Sequence, residues 1–177
     1  ARSNRRLLEE ALTDPLTKLH NRRYGLDRFS QEWGFSAHSD TPLSCLMLDI
    51  DHFKRVNDQY GHEVGDIVLN QIARVIEQVS RKDDVAFRFG GEEFCVVCPN
   101  STLAAAMQLG ERIVREVRAG RYGEDGKRFP VTMSIGVASR SPSDSDQEAL
   151  LGRADKALYA AKSAGRDRVM AARGDSA

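Results

Sequence analysis

A nearly continuous apolar run over residues 43–51 constrains the fold more than any other part of this chain. It reads Leu-Ser-Cys-Leu-Met-Leu-Asp-Ile-Asp, so apolar side chains lead into two acids. Such a run is typical of a central strand that is buried on both faces. Other elements must cover that strand, and 177 residues with 41% hydrophobic side chains suffice for one domain with a sizeable core.

The order of the predicted elements narrows the fold class. Strand and helix patterns are mixed, with one hairpin at residues 87–98 and a long strand at residues 128–139. We predict an α+β fold, a mixed α/β sandwich in which a central, largely antiparallel five-stranded sheet is flanked by helices. No Gly-x-x-x-x-Gly-Lys-Ser/Thr run occurs in the sequence, which excludes a P-loop.

Two glycines followed by two acids form the second informative stretch. Gly90-Gly91 between apolar runs predicts a two-residue type I′ turn, because glycine adopts the positive φ angles that this turn needs. Glu92 and Glu93 follow directly, and two adjacent carboxylates repel each other unless a cation lies near them. Together with the acids that end the buried strand, Asp49 and Asp51, they predict a Mg²⁺ site.

Charge and composition exclude several function classes. Lys+Arg 26 equal Asp+Glu 26, so the broad basic surface of a nucleic-acid binder is absent, and we expect no nucleic-acid polymer as a partner. No apolar run approaches the roughly 18 residues of a membrane span. No signal segment opens the chain, so we expect a cytoplasmic domain without membrane contact. Cys95 and Cys98 have the spacing of half a zinc site, but buried free thiols are the better interpretation.

Several polar residues fit either a structural or a binding role. Asp66 is well placed to cap a helix that runs to about residue 80, and Asn57 suits a turn. Both also suit hydrogen bonds to a planar base, and an Asp that accepts from two adjacent N–H donors favours guanine. Lys162 and Arg166, near the end of the last long helix, either complement its dipole or bind phosphates.

These residues together resemble the GGDEF domains, a family of diguanylate cyclases that make cyclic di-GMP from two GTP molecules. The signature reads Gly90-Gly91-Glu92-Glu93-Phe94, the form with two glutamates that is found in active members. The resemblance extends from about Asp14 to Val169. The further motifs, in the family's order and spacing, are residues 14–23, 49–54, 57–58, 61–62, 65–66 and 161–166.

The resemblance implies a fold like that of adenylyl cyclase catalytic domains and polymerase palms. It also implies a division of the chain. Residues 1–13 would be a connector helix from an upstream sensory or regulatory region, residues 14–172 the catalytic GGDEF domain, and residues 173–177 a tail.

The same resemblance implies roles for particular residues. Asp49, Glu92 and the carbonyl of Ile50 would hold Mg²⁺, which Mn²⁺ can replace, and Glu93 would reach a second ion. Glu92 and Glu93 would be the catalytic residues. The implied GTP site comprises His52, Phe53, Lys54, Lys162 and Arg166 for the phosphates, Asn57 and Asp66 for guanine, His62 beside them, and Gly90 and Gly91 where the nucleotide approaches the backbone.

Family members act as two-fold homodimers, in which each domain carries one GTP. Many are inhibited by their product at an Arg-x-x-Asp site that ends five residues before the signature. Arg81 and Asp84 match this site and Arg112 matches a third arginine, although by themselves residues 81–84 are a solvated charge run. Two alternatives stay open at this point: a non-catalytic receptor for cyclic di-GMP or GTP, and an enzyme that makes another nucleotide product.

Overall fold

The structure is a computed structural model that describes residues 2–174. Its elements in chain order are α1 (Arg2–Leu12), α2 (Arg22–Ser39), β1 (Leu43–Ile50), α3 (Phe53–Tyr60), α4 (His62–Val79), β2 (Val85–Arg88), β3 (Glu93–Pro99), α5 (Leu103–Ala119), β4 (Met133–Ser139), α6 (Gln147–Ser163) and β5 (Arg168–Ala171).

The strands form one five-stranded sheet in the order β2-β3-β1-β4-β5. β1 runs antiparallel to both of its neighbours, β2 runs antiparallel to β3, and β5 runs parallel to β4. Every residue of β1 is buried, as the apolar run predicts for a central strand. The mixed α/β fold with a largely antiparallel five-stranded sheet is therefore confirmed.

Helices cover both faces of the sheet. On one face, Leu46 and Leu48 of β1 pack in a core with side chains of α3, α4 and α5. On the other face, Cys45 and Met47 pack with side chains of α2 and α6. Successive residues of β1 thus contribute to the two cores alternately, which is why the whole strand is apolar up to its end.

The cysteines belong to these cores. Cys45, Cys95 and Cys98 are buried, and within residues 2–174 none of them forms a disulfide. Cys95 and Cys98 lie in different cores, because residues three apart on a strand face opposite sides of the sheet. The expectation that these cysteines are buried is confirmed.

The predicted long strand over residues 128–139 is shorter in the structure. β4 begins at Met133, whereas Phe129 pairs with Tyr122 through two backbone hydrogen bonds of 2.8 and 2.9 Å. Pro130 follows Phe129, and proline has no N–H to donate to a sheet. The first part of the apolar alternation therefore lies in the loop where Phe129 pairs with Tyr122. The chain joins the sheet only at Met133.

A helix, α1, occupies the start of the described residues. α1 lies where the connector helix was expected, and its side chains Leu7 and Leu8 are exposed. Its connection to an upstream region stays a prediction. Of the expected tail, residues 175–177 lie outside the described residues. No helix in residues 2–174 has the length and hydropathy that crossing a membrane requires.

The contact between β4 and α6 generates a prediction about stability. A Cβ atom at Gly136 would lie 2.1 Å from both Ala154 O and Leu158 N, which are backbone atoms of α6. Gly136→Ala should therefore lower the free energy of unfolding in urea by about 1–3 kcal/mol or more. The control Gly34→Ala has open space around its Cβ and should be neutral or stabilising by up to about 1 kcal/mol. A Gly136→Ala protein as stable as the control would contradict this packing.

Candidate active site

The ends of β1 and β3 bring the predicted acids together. Asp49 lies directly opposite Glu93 in the antiparallel register. The backbone N–H of Ile50 donates to the carbonyl of Glu92 at 3.3 Å. Because residues directly opposite each other share a face, the buried Asp49 and the half-buried Glu93 lie on the side of the sheet that α2 and α6 cover.

Lys162 of α6 reaches this acidic edge. Its Nζ donates to Asp49 Oδ2 at 2.6 Å. Burial raises the pKa of the Asp49 carboxyl to about 6, while the Lys162 ammonium opposes the rise and the charges of Glu92 and Glu93 add to it. Burial also raises the pKa of Glu93, with a further contribution from the nearby Asp155. The acids are thus held close together at a cost in electrostatic free energy.

The chemistry of these acids fits a divalent cation. Mg²⁺ prefers carboxylate oxygens, and a doubly charged ion would relieve the repulsion among them. Within residues 2–174, however, no group of three or more His, Cys, Asp or Glu side chains is arranged around a metal position. Lys162 occupies Asp49 Oδ2 instead. A carboxylate keeps further lone pairs beyond this contact, and the ligand set of Asp49, Ile50, Glu92 and Glu93 stays a prediction.

The second acid of the apolar run, Asp51, makes structural hydrogen bonds. Its carboxylate accepts hydrogen bonds from the hydroxyls of Thr132 at 2.7 Å and Ser134 at 2.6 Å, and from the backbone N–H of Asp167 at 3.0 Å. Both of its oxygens therefore make structural contacts. These contacts attach the loop after α6 to the centre of the sheet, and that loop carries Arg166, which has a φ of 66°.

The turn between β2 and β3 differs from the predicted one. Residues 89–92 connect the strands, and neither Gly90 nor Gly91 has a positive φ, so the type I′ prediction is wrong. The backbone N–H groups of Phe89 and Gly90 both donate to the carbonyl of Glu93, at 2.9 and 3.2 Å. This wider loop closes without the mirror-image backbone that a two-residue turn requires.

Arg88 fastens this loop, and sequence reasoning missed it. Its Nε donates to the carbonyl of Gly90 at 3.1 Å, and its Nη2 donates to the carbonyl of Gly91 at 2.8 Å. Its Nη1 lies 3.3 Å from both carboxylate oxygens of Asp14, which follows α1 closely. The available signal was a cation within an apolar strand, but nothing local identifies Asp14 as its partner.

A cavity of about 300 Å³ opens between α3, α4 and this loop. Its lining residues are Phe53, Lys54, Asn57, His62, Asp66, Leu69, Arg88, Gly91 and Glu92. Apart from Leu69 and Arg88, all of them belong to the predicted GTP and metal residues. The structure thus brings most of the predicted nucleotide residues to one cavity. The predicted residues that do not line it are Asp49, Ile50, His52, Gly90, Glu93, Lys162 and Arg166.

The two predicted guanine-reading side chains are free to bind a ligand. α4 begins at His62 rather than after Asp66, so the predicted N-cap role of Asp66 is wrong. The reason is Gly61, whose φ of 90° lets α3 end and α4 begin at the same residue. No side-chain hydrogen bond joins Asp66 or Asn57 to another described residue. Both residues line the cavity.

The N-terminus of α3 suits an anion. His52 precedes the helix with a φ of 57°, and no side chain caps the first turn. The backbone N–H groups of Phe53 and Lys54 therefore have no carbonyl partner within the helix. Such N–H groups, at the positive end of the helix dipole, favour a phosphate. The phosphate roles of His52, Phe53 and Lys54 stay predictions.

The Arg-x-x-Asp residues form a tight turn before β2. The backbone N–H of Arg81 donates to Asp84 Oδ2 at 2.7 Å, and burial raises the pKa of Asp84. Both residues line a second cavity of about 360 Å³, which Lys18 and His20 also line. Arg112 is exposed on α5 and does not line this cavity. The structure therefore brings Arg81 and Asp84 together, and Arg112 lies outside their cavity.

Known proteins share both the sequence and the fold. Residues 11–168 match the family model described as diguanylate cyclase, GGDEF domain. The chain is 42% identical over 170 residues to diguanylate cyclase A of Treponema denticola. This match covers 94% of this chain and 46% of that protein. It is 40% identical over 165 residues to the response regulator PleD of Caulobacter vibrioides, with 92% of this chain and 36% of that protein covered. The chain thus spans less than half the length of these two relatives.

A solved structure agrees with these matches. The GGDEF domain of DgcB from Caulobacter crescentus, in complex with c-di-GMP, superposes with a TM-score of 0.88 at 36% identity. The superposition covers 93% of this chain and 94% of that domain.

The contacts of Arg88 generate a prediction that needs no ligand. Arg88→Ala leaves the 14% exposed Asp14 side chain without its cation and two loop carbonyls without a donor. The free energy of unfolding should fall by about 1–3 kcal/mol, and amide hydrogen exchange in residues 89–92 should speed up.

The matched control is Arg128→Ala, which breaks a more exposed pair with Asp125. It should change the free energy of unfolding by less than about 1 kcal/mol. Urea denaturation and hydrogen exchange with mass spectrometry measure both variants. Equal losses of unfolding free energy in the two variants, or unchanged hydrogen exchange of residues 89–92 in Arg88→Ala, would contradict the role of Arg88.

Proposed function

The chain belongs to the GGDEF domain family of diguanylate cyclases, and we propose that it condenses two GTP molecules into cyclic di-GMP with release of pyrophosphate. The observation that carries this proposal is the cavity that Lys54, Asn57, Asp66 and Glu92 line together. These residues offer a cation, an amide and two carboxylates, which suit the phosphates, the base and the reacting end of a nucleotide.

Base choice in this proposal rests on Asp66 and Asn57. Guanine presents two adjacent N–H donors, and the carboxylate of Asp66 can accept from both. Adenine lacks that pair of donors on the corresponding edge. The freedom of Asp66 from a capping contact supports this role, because its oxygens are available to the cavity.

The phosphates and the metal would lie between the cavity and the acidic edge. Asp49, Glu92 and the Ile50 carbonyl would hold Mg²⁺ or Mn²⁺, with Glu93 near a second ion. The bound ion supplies positive charge that lowers the pKa of the attacking 3′-hydroxyl and offsets charge on the leaving pyrophosphate. The backbone N–H groups of α3 would orient the phosphates.

The reaction itself forms a bond from a 3′-oxygen to an α-phosphorus and breaks the bond to pyrophosphate. We assign removal of the hydroxyl proton to the neighbouring acids Glu92 and Glu93. Of these two, Glu92 lines the cavity. Lys54, Lys162 and Arg166 would offset the phosphate charge.

In our proposal two copies of the domain face each other, each with one GTP, so that each hydroxyl attacks the other's phosphate. The homodimer is then the active form, and an upstream region would control its assembly.

Turnover of GTP tests this function. With GTP and Mg²⁺ at high protein concentration, we expect cyclic di-GMP and pyrophosphate, resolved by chromatography and mass spectrometry. Glu92→Gln should lower the rate at least about 100-fold, because the charge at the reacting end is lost. The control Glu124→Gln changes an exposed glutamate and should keep the rate. Tight binding of cyclic di-GMP without turnover at any protein concentration would instead indicate a receptor.

Product inhibition through Arg81 and Asp84 forms a second part of the proposal. The exposed guanidinium of Arg81 suits a phosphate or the Hoogsteen edge of guanine. Arg81→Ala should therefore raise the concentration of cyclic di-GMP that halves the rate by at least about tenfold, with turnover unchanged. The control is Arg115→Ala, which replaces an exposed residue of α5. Equal inhibition of both variants would contradict this site.

A further inference from the structure

Gly65 is a buried glycine inside α4, and helix stability does not explain its presence. Glycine is far less favourable than alanine in a helix interior. A Cβ atom at Gly65 would lie 2.0 Å from Asn57 Oδ1, 3.1 Å from Asn57 Cγ and 3.3 Å from Phe53 Cζ. The space that an alanine methyl group would need is therefore taken by the Asn57 amide.

The backbone on both sides of this contact is held in place. The N–H of Gly61 donates to the carbonyl of Asn57 at 2.9 Å, and the N–H of Gly65 donates to the carbonyl of Gly61 at 3.0 Å. These bonds join the end of α3 to the start of α4. A Cβ atom at position 65 would thus displace the end of the Asn57 side chain, which is the mobile part of the contact, rather than either helix.

The Asn57 amide depends on this contact for its position. It makes no side-chain hydrogen bond to the part of the chain that the structure describes. Asp66, the neighbour of Gly65 in α4, lines the same cavity as Asn57. A shift of the Asn57 amide away from Gly65 therefore changes its position in the cavity that Asp66 also lines.

We propose that Gly65 is a positioning residue that strengthens binding of the base by seating the Asn57 amide against α4. The inference rests on the proposed function, in which Asn57 and Asp66 read guanine. The Asp66 carboxylate accepts from the base, and the amide adds hydrogen bonds only within reach of the same ring. A methyl group at position 65 moves the amide, so the site keeps its phosphate contacts and loses part of its base contacts.

The test compares two probes by calorimetry in the presence of Mg²⁺. One is the α,β-methylene analogue of GTP, and the other is inorganic tripolyphosphate, which has no base. Gly65→Ala should weaken binding of the GTP analogue at least about tenfold and change binding of tripolyphosphate by less than about twofold. The control Gly152→Ala is a helical glycine with open space around its Cβ, and it should change neither affinity.

A double variant distinguishes positioning from a general structural effect. Asn57→Ala should weaken binding of the GTP analogue by a factor similar to that of Gly65→Ala. Adding Gly65→Ala to Asn57→Ala should then cause no further loss of affinity and should raise the melting temperature above that of Asn57→Ala, because the 2.0 Å contact is gone, the end of the Phe53 ring needs to move only slightly, and the helix gains alanine. If Gly65→Ala alone does not fold, a folded double variant supports the contact and an unfolded one overturns it.

The outcomes separate this inference from the proposed function. Unchanged binding of the GTP analogue to Gly65→Ala overturns the inference, and so does an additive loss in the double variant. In both cases binding of the analogue to the unaltered protein leaves the proposed function standing. An unaltered protein that binds neither probe overturns the proposed function and this inference with it.

Discussion

The buried carboxylate of Asp49 is the constraint on which the site depends. It lies at the end of a strand with both faces buried, opposite Glu93, where little water is available to stabilise its charge. Lys162 supplies a counter-charge at 2.6 Å and thereby ties α6 to the central strand. β1, β3 and α6 must come together before this acid is accommodated, and the same demand for positive charge suits this edge to a metal ion.

The sequence was informative wherever local pattern and burial agree. A strand that is apolar on both faces requires covering layers, and the structure has three helices on one side and two on the other. The cavity residues Lys54, Asn57 and Asp66 were also identified, because their motifs combine polar chemistry with a fixed order along the chain. Residue type indicates Asn57 and Asp66 as groups for a planar base, whereas Lys54 was predicted only from the resemblance to the GGDEF family.

The errors arose where tertiary contacts override local preference. Gly90-Gly91 suits a type I′ turn locally, but Arg88 bonds the loop carbonyls and stabilises a wider connection. Asp66 suits a helix cap, but the cap position of α4 is Gly61, five residues earlier, where a φ of 90° lets one helix end and the next begin. The partner of Arg88 lies 74 residues away, beyond the reach of any local pattern.

The long reach of the sheet pairings has a consequence for biosynthesis. Ser44 of β1 contacts Ser139 across 95 residues, and Asp49 contacts Lys162 across 113. Non-local pairings of this kind form slowly, and during translation they must wait for the distant segment to leave the ribosome. Burial of Asp49 at the end of β1 therefore gains its Lys162 counter-charge only after α6 has been made, so the acidic edge is among the last parts of the fold to form.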